Sequence, residues 1–537
     1  MTLPSDNLGT AVSTDHPGAE ALVEIQGGRA TRWTYADLET AIEAQADRFA
    51  ADGHAPGARI AILGKNSGAW LVAFYAAQRA GLVPVPVSHR LPADGIRYVL
   101  ENSGARLLLA EDPAVVTGVP AGVTLAPLAG VLDGAEPSGR TAPVTRAARR
   151  SVDVDEPGMI LYTSGSTGRP KGVVLSHASH LWVIGVGMGS GGGAGGDRAL
   201  VAAPLYHMNA LANVQGAFAA GGTVVLLEAF DARAFLQVTA DERVTRVTGV
   251  PPMFALLLRE RDLVESLDLG SVRFAFVGSA PASDDLLDEI GALFPRAHVR
   301  FGYGTTESGP VAFVEDLARP TPKGSVGLAS PDVELRLVGA DGEIDPRRGV
   351  LEIRVPALMS GYHDRPDVPS PLTADGFYHS KDLFEVDDDG YYFFAGREDD
   401  MFSSGGENVY PLAVEQVLQA YPGVLHAAVV PVPDEIKGAK PVAFVVLTEG
   451  ASVTEDELRR HTLDHLEPYA HPRRVHVIDE LPLSGTNKVD RHLLERLALE
   501  RAAGPNDHAG SPDDPAAERF APSAGASTSA PAEGPDL

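Results

Sequence analysis

The apolar run Met159-Ile160-Leu161 leads directly into Tyr162-Thr163-Ser164-Gly165-Ser166-Thr167-Gly168-Arg169-Pro170-Lys171-Gly172, and Val173-Val174-Leu175 resumes the apolar pattern. Glycines let a backbone turn close to a ligand, because they carry no Cβ and accept positive φ. Successive exposed N–H groups, helped by Ser/Thr hydroxyls and a lysine, form a pocket for phosphate oxygens. By composition alone a Gly/Ser-rich run reads as a linker. The strand-like lead-in, the embedded Arg169-Pro170-Lys171 and the apolar segment afterwards point instead to a loop for a nucleotide triphosphate. The Walker spacing is absent, since Gly172 follows the lysine.

Around this loop the chain alternates helical and strand patterns. Helical spacing covers 36–50 and 70–80, and strand character covers 59–63 and 81–87. The alternation continues from 201 to 355, with strands expected at 222–227 and 272–277. Strands alternating with helices imply parallel sheets covered on both faces. The first 17 residues are polar and expected to be loose, 129–157 is a connector of low hydrophobicity, and the glycine-rich 185–196 is expected to be a surface loop. A charged joint at 397–400 ends a large domain of residues 18–396. A second unit, 401–498, is expected to hold a helix at 412–420 and strands at 427–430 and 442–446. Residues 499–537 are rich in Pro, Ser, Ala, Gly and Asp and are expected to be disordered.

With 537 residues the chain is too long for one simple core, in keeping with this division. Its net charge of −28 argues against a general nucleic-acid or anionic-membrane surface, so an anionic ligand must be met by locally placed cations. No cysteine is present, which excludes disulfides, thiolate metal sites and a thioester on the enzyme itself. No apolar run reaches the roughly 18 residues that span a bilayer, and the start lacks the pattern of a signal peptide. A cytoplasmic location is expected.

Four further stretches supply what a phosphate loop lacks. Tyr303-Gly304-Thr305-Thr306-Glu307-Ser308 offers an aromatic face, hydroxyls, and Glu307 as a hard oxygen ligand for Mg²⁺. Asp382 is a carboxylate beside a strand, able to accept both hydroxyls of a ribose or to be a solvated loop residue. Gly396-Arg397-Glu398-Asp399-Asp400 joins the two units, and its charges could serve as hinge, ligand or surface. Leu481 to Arg491 puts Lys488 in a short Gly/Thr/Asn loop.

In this order, from about Ala30 to Ala498, the motifs resemble the adenylate-forming superfamily, which includes acyl- and aryl-CoA synthetases, stand-alone adenylation domains and firefly luciferase. Ser403 to Pro411 and Pro433 to Gly438 are most similar to the acyl/aryl-CoA ligase branch. The resemblance implies an α/β protein, with a large multi-subdomain α/β domain of βαβ-type layered sheets and a small mobile α+β domain. It implies that ATP and Mg²⁺ activate a small carboxylic acid, aromatic or of medium chain length, to an acyl-adenylate with loss of pyrophosphate. Coenzyme A then takes the acyl group. A carrier-protein phosphopantetheine or a small nucleophile is the alternative acceptor, and a nucleotide-binding protein without catalysis is the alternative of another class.

By the same resemblance Thr163, Ser164, Gly165, Ser166, Thr167, Gly168 and Lys171 hold the β- and γ-phosphates. Tyr303 packs on adenine, Gly304 and Thr305 belong to the nucleotide turn, Thr306 binds the α-phosphate and Glu307 holds Mg²⁺. Asp382 and Arg397 fix the ribose, Lys488 bridges carboxylate and α-phosphate, and Asp399 is the hinge. The acid lies around His207, Asn209, Gly278, Ser279 and Ala280, where His207 serves as gate, base or packed side chain. Met208-Asn209-Ala210-Leu211 lacks the aspartate that would pair with an α-amine. Gly406, Arg90 and Lys437 are assigned to CoA. Two residues depart from the family pattern: Lys381 replaces the usual glycine before the ribose carboxylate, and Lys437 stands where some relatives place an aromatic residue.

Overall fold

The computed structural model describes residues 6–142, 144, 152–163, 169–189, 196–316, 318–434, 436–448, 450–483 and 489–502. The chain divides into two compact units, with the division between Asp400 and Met401. Among the described residues no helix is long and apolar enough to cross a membrane.

The first unit is built on four sheets. The largest has seven strands in the order His298–Gly302, Phe274–Gly278, Arg246–Gly249, Arg198–Val201, Thr223–Leu227, Glu20–Gln26, Arg29–Thr34, and all but the last pair run parallel. Thr223–Leu227, Thr-Val-Val-Leu-Leu, is buried at every position, as a strand covered on both faces requires. A second, parallel sheet orders Val83–Val87, Arg59–Leu63, Leu107–Ala110 and Thr124–Pro127. Val83–Val87 alternates valine with proline, which donates no ladder hydrogen bond, and it takes the sheet edge.

The other two sheets carry the candidate site. Gly361–Tyr362, Lys171–Ser176 and Pro157–Thr163 form an antiparallel sheet of three strands. Phe313–Val314, Ser325–Ala329, Tyr392–Arg397, Tyr378–Val386, Arg348–Arg354 and Glu334–Val338 form an antiparallel sheet of six.

Two sequence expectations need correction here. The N-terminal segment is packed from Asn7 onward: Leu8 is fully buried, Asn7 Nδ2 donates to Gln78 O at 3.0 Å, and the Leu8 N–H donates to His177 Nδ1 at 3.2 Å. Gly9 passes so close to Arg79 that a Cβ would lie 2.3 Å from its backbone nitrogen. Polar pairing with the main chain ties this strap down, together with burial of Leu8, Ala11 and Val12 in the core. The glycine-rich stretch is helical at its start, because the helix His177–Gly189 runs through Gly185 and Gly187.

The second unit has the sheet order Glu407–Val409, Phe402–Ser404, Gly438–Leu447, Val424–Asp434, with Arg474–Val477 parallel to Gly438–Leu447. Helices Pro411–Gln419, Glu455–His465 and Arg491–Ala502 accompany it. Proline at the first position of Pro411–Gln419 and a Thr454/Glu457 capping box at Glu455–His465 explain why those helices start where they do.

Candidate active site

Asp382 lies in the strand Tyr378–Val386, directly opposite Arg397 at the end of Tyr392–Arg397. Register therefore makes the pair: Arg397 Nη1 donates to Asp382 Oδ1 at 2.5 Å, and the Tyr303 hydroxyl donates to Oδ2. Arg397 also grips Asp399 through Nε and Nη2, at 2.8 and 3.2 Å. Burial works against the charge of Arg397, but Asp382, Asp399 and Asp400 outweigh it and raise its pKa. Burial, and then the Asp382 carboxylate, push the Tyr303 phenol far above its ordinary range, so it stays a donor. The Tyr303 ring packs edge-on to Phe384, with centroids 5.0 Å apart.

Asp382 is aimed by an irregular backbone. Ser380 Oγ donates to Leu351 O at 2.6 Å and accepts the Asp382 N–H at 3.1 Å. Between them Lys381 sits at φ +63°, the left-handed region that favours glycine. The departure noted in the sequence thus falls where the backbone asks for glycine, and the lysine accepts the strain. Its ammonium is 3.9 Å from Asp399 Oδ2.

Thr163 ends one strand and Lys171 begins the next, and the two are paired in register. Ser164, Gly165, Ser166, Thr167 and Gly168 lie outside the described residues. Gly172 is needed here, since a Cβ would come 2.9 Å from Ile160 and 3.0 Å from Tyr162. Lys171 Nζ lies 3.4 Å from the Tyr362 hydroxyl and 4.6 Å from its ring centroid. The same hydroxyl donates to Glu307 Oε1 at 3.0 Å. Burial lowers the Lys171 pKa, as do the charges of Lys381 and Arg365; Glu307 and Asp399 oppose the fall. Glu307 is 8% exposed. No cluster of three or more His, Cys, Asp or Glu side chains stands ready for a metal among the described residues. One hard carboxylate beside a loop expected to hold phosphate suits Mg²⁺, which is commonly held by one or two carboxylates plus substrate phosphates.

The turn from Tyr303 to Gly309 is self-supporting. Thr305 Oγ1 lies 2.8 Å from Ser308 Oγ and accepts the Ser308 N–H at 3.0 Å, so this hydroxyl belongs to the turn. Thr306 beside it is half-buried. At Gly304 a Cβ would lie 2.5 Å from Pro310 Cα, which leaves room only for glycine.

The proposed acid side lies at the carboxyl ends of the parallel strands, where such sheets commonly bind ligands. A Cβ on Gly278 would lie 2.9 Å from Gly302 O, and the following Ser279 is at φ +65° ahead of Ala280. His207 precedes the helix Met208–Ala219, its ring 4.5 Å from that of Tyr206, which in turn meets His89 at 5.6 Å. Asn209 Oδ1 accepts from Asn213 Nδ2 at 2.9 Å and from Thr248 Oγ1 at 3.2 Å. Arg90, exposed, lines a small cavity with His89, Asn66 and Glu228.

In the second unit Gly405 and Gly406 make the two-residue turn between Phe402–Ser404 and Glu407–Val409, at φ +67° and +92°. Positive φ at both positions is what a type I′ hairpin needs. Lys437 O accepts the Gly405 N–H at 2.8 Å. Lys488 lies outside the described residues.

Thus the structure gathers Tyr303, Asp382, Arg397 and Asp399 into one hydrogen-bonded group, and Lys171 and Glu307 into another. Tyr362, which the sequence did not single out, bridges the second group. It stands in a two-residue strand, too short for any periodic signal.

The model of the AMP-binding enzyme family matches residues 10–363, and that of the AMP-binding enzyme C-terminal domain matches 413–488. The chain is 38% identical over 468 residues to a feruloyl-CoA synthase of Amycolatopsis sp, covering 86% of this chain and 92% of that protein. It is 34% identical over 483 residues to the fatty acid–[acyl-carrier-protein] ligase ScoC of Streptomyces coeruleorubidus, covering 86% and 91%. Among solved structures, ATP-bound MatB from Rhodopseudomonas palustris superimposes with a TM-score of 0.81 at 28% identity, covering 93% of this chain and 99% of that one. The chain belongs to the AMP-binding enzyme family.

Proposed function

We propose that this member of the AMP-binding enzyme family is an AMP-forming acid–CoA ligase acting on an aromatic carboxylic acid of the cinnamate kind. The observation that carries the reading is the grouping of Asp382, Arg397 and Tyr303 within one unit that also holds Lys171 and Glu307. The 38% identity to a feruloyl-CoA synthase supports the aromatic acid.

In the first step a carboxylate oxygen of the acid attacks the α-phosphorus of ATP, the bond to the bridging oxygen of pyrophosphate breaks, and the acyl-adenylate forms. Asp382 accepts the ribose hydroxyls, with Arg397 and Tyr303 holding its carboxylate in place. Lys171 and the backbone of the 163–171 loop take up charge on the departing pyrophosphate. Glu307 would hold Mg²⁺, and the ion would supply neutralisation of phosphate charge. Thr306 contacts the α-phosphate, and Lys488 bridges it to the carboxylate. Such fixed charges act by electrostatic preorganisation, where losing one group commonly costs about 10² to 10³ in rate.

In the second step the thiolate of CoA attacks the acyl carbon and AMP leaves. Asp399 serves as the hinge between the steps, the Gly405-Gly406 turn borders the thiol path, and Arg90 and Lys437 meet phosphates of CoA. The acid rests against His207, Asn209, Gly278, Ser279 and Ala280, and the asparagine pair offers amide groups to a polar ring substituent. The reaction belongs in the cytoplasm, where both ATP and CoA are supplied.

The test is incubation with ATP, Mg²⁺, CoA and a panel of aryl and alkyl acids, followed by mass spectrometry. AMP and an aryl-CoA are expected; ADP as the nucleotide product overturns the reading. The likeness to ScoC favours a second reading, in which a carrier-protein phosphopantetheine is the acceptor. Strict dependence on a loaded carrier protein, with CoA inert, would select it.

A further inference from the structure

We infer that Tyr362 is a positioning residue that keeps Lys171 and Glu307 from pairing with each other, so that the cation stays available to the triphosphate and the carboxylate to Mg²⁺. The inference rests on the nucleotide site proposed above.

A half-buried ammonium and a buried carboxylate within reach of one another gain by direct contact, since screening by water is weak there. Lys171 and Glu307 are close enough to share one hydroxyl, yet the phenol of Tyr362 stands between them. Its hydroxyl donates to Glu307 Oε1 at 3.0 Å and accepts from Lys171 Nζ at 3.4 Å, while the ammonium rests over the ring, 4.6 Å from the centroid. One side chain therefore gives each ion a partner without neutralising either. A direct ion pair would have to be broken before ATP and Mg²⁺ could bind.

The wedge is held rigidly. Tyr362 lies opposite Val173 in the ladder with Lys171–Ser176, and Gly361 lies opposite Val174. On either side Ser360 N–H donates to Val174 O at 2.9 Å and His363 N–H to Gly172 O at 2.7 Å. The Met359 N–H donates to Glu307 O at 2.8 Å, so the strand that carries the phenol also fixes the backbone of the carboxylate. Arg365, three residues on, donates to Pro170 O at 3.2 Å and anchors the approach to Lys171.

The test is calorimetric ATP binding by the full-length chain, first with chelator and then with rising Mg²⁺, for wild type, Tyr362→Ala, Glu307→Gln, the double variant and Tyr362→Phe. Wild type that binds no ATP at all contradicts the nucleotide-site reading itself, a separate outcome. Given wild-type binding, Tyr362→Ala should bind Mg²⁺-free ATP roughly fivefold more weakly, the worth of one partly exposed ion pair that must open. Adding Glu307→Gln should help more in the Ala background than in the Tyr background. Equal gains in both backgrounds, or Tyr362→Ala binding like wild type, overturn the inference. Tyr362→Phe keeps the ring, so it should bind Mg²⁺-free ATP as wild type does but need roughly fivefold more Mg²⁺, having lost the hydrogen bond that aims Glu307. Any other pattern for Phe overturns the inference, and this arm decides alone if Tyr362→Ala does not fold.

Discussion

The two ends of the proposed nucleotide site handle charge in opposite ways. At the ribose end every charged group already has a partner: Asp382 with Arg397 and Tyr303, Arg397 with Asp399, Asp399 with Lys381. At the phosphate end Lys171 and Glu307 are neighbours without a direct ion pair, separated by Tyr362. The proposed ligands explain the difference. Ribose hydroxyls are neutral and can join an existing network by adding hydrogen bonds. A triphosphate with Mg²⁺ brings large charges of both signs, and needs unneutralised groups to meet them. On that proposal the ribose end is built for aim and the phosphate end for charge in reserve.

If this contrast is right, the largest effect comes from breaking the aim. Asp382→Asn keeps the shape but removes the charge that Arg397 opposes and weakens both bonds to the ribose. Hydrogen bonds to charged groups are worth about 1.5–3 kcal/mol each, so acid-dependent ATP–pyrophosphate exchange should fall about a hundredfold in kcat/KM for ATP. A loss of less than about threefold would show that Asp382 serves only the fold.

Next comes the reserve of charge, which should appear as two opposite pH slopes. Burial lowers the Lys171 pKa from the ordinary lysine value of 10.5. Between the folded and unfolded pKa values the unfolded chain binds more protons, so this group makes stability rise with pH across that window. Phosphate binding needs the proton, so ATP affinity should fall across the same window, at lower pH than for an ordinary lysine. Lys171→Arg should lose the alkaline fall, because a guanidinium does not titrate there. Lys171→Met should unfold at a higher temperature than wild type at neutral pH, with the advantage shrinking as pH rises. Parallel slopes for stability and affinity would contradict the account.

The same contrast separates what the sequence discloses from what it conceals. Asp382, Arg397, Lys171 and Glu307 each sit in a short motif with chemical meaning, and the alternating strands and helices announce the parallel sheets. Which charges meet depends on register. Asp382 faces Arg397 because the ladder between their strands keeps its register there and shifts only between Leu383 and Phe384. Tyr362 is silent because two residues of strand have no period to read. Asn7 and Leu8 are held by Gln78 and His177, 71 and 169 positions away, and no local window contains such bonds. Gly185 and Gly187 are helical against their propensity, in the last turns of a helix that begins at His177.

The smallest effect comes from Lys381, which tests whether the strain beside Asp382 serves the site. A non-glycine residue in the left-handed region costs about 1–2 kcal/mol, while glycine gives up about 0.5–1 kcal/mol through the entropy of the unfolded chain. The pair with Asp399, at 3.9 Å from a half-exposed ammonium, contributes little. Lys381→Gly should therefore raise stability by about 0.5 kcal/mol, a shift in melting temperature of about 1 °C for a unit of this size. Lys381→Ala keeps the strain and loses the pair, so it should melt below both. Because Asp382 is aimed by Ser380 and held by Arg397 and Tyr303, neither change should alter KM for ATP more than about twofold, well under the effect of losing a hydrogen bond to a charged group. A larger rise in KM, equal for Gly and Ala, would mean that the Lys381 ammonium contacts the nucleotide, and that the ribose end too keeps a charge in reserve.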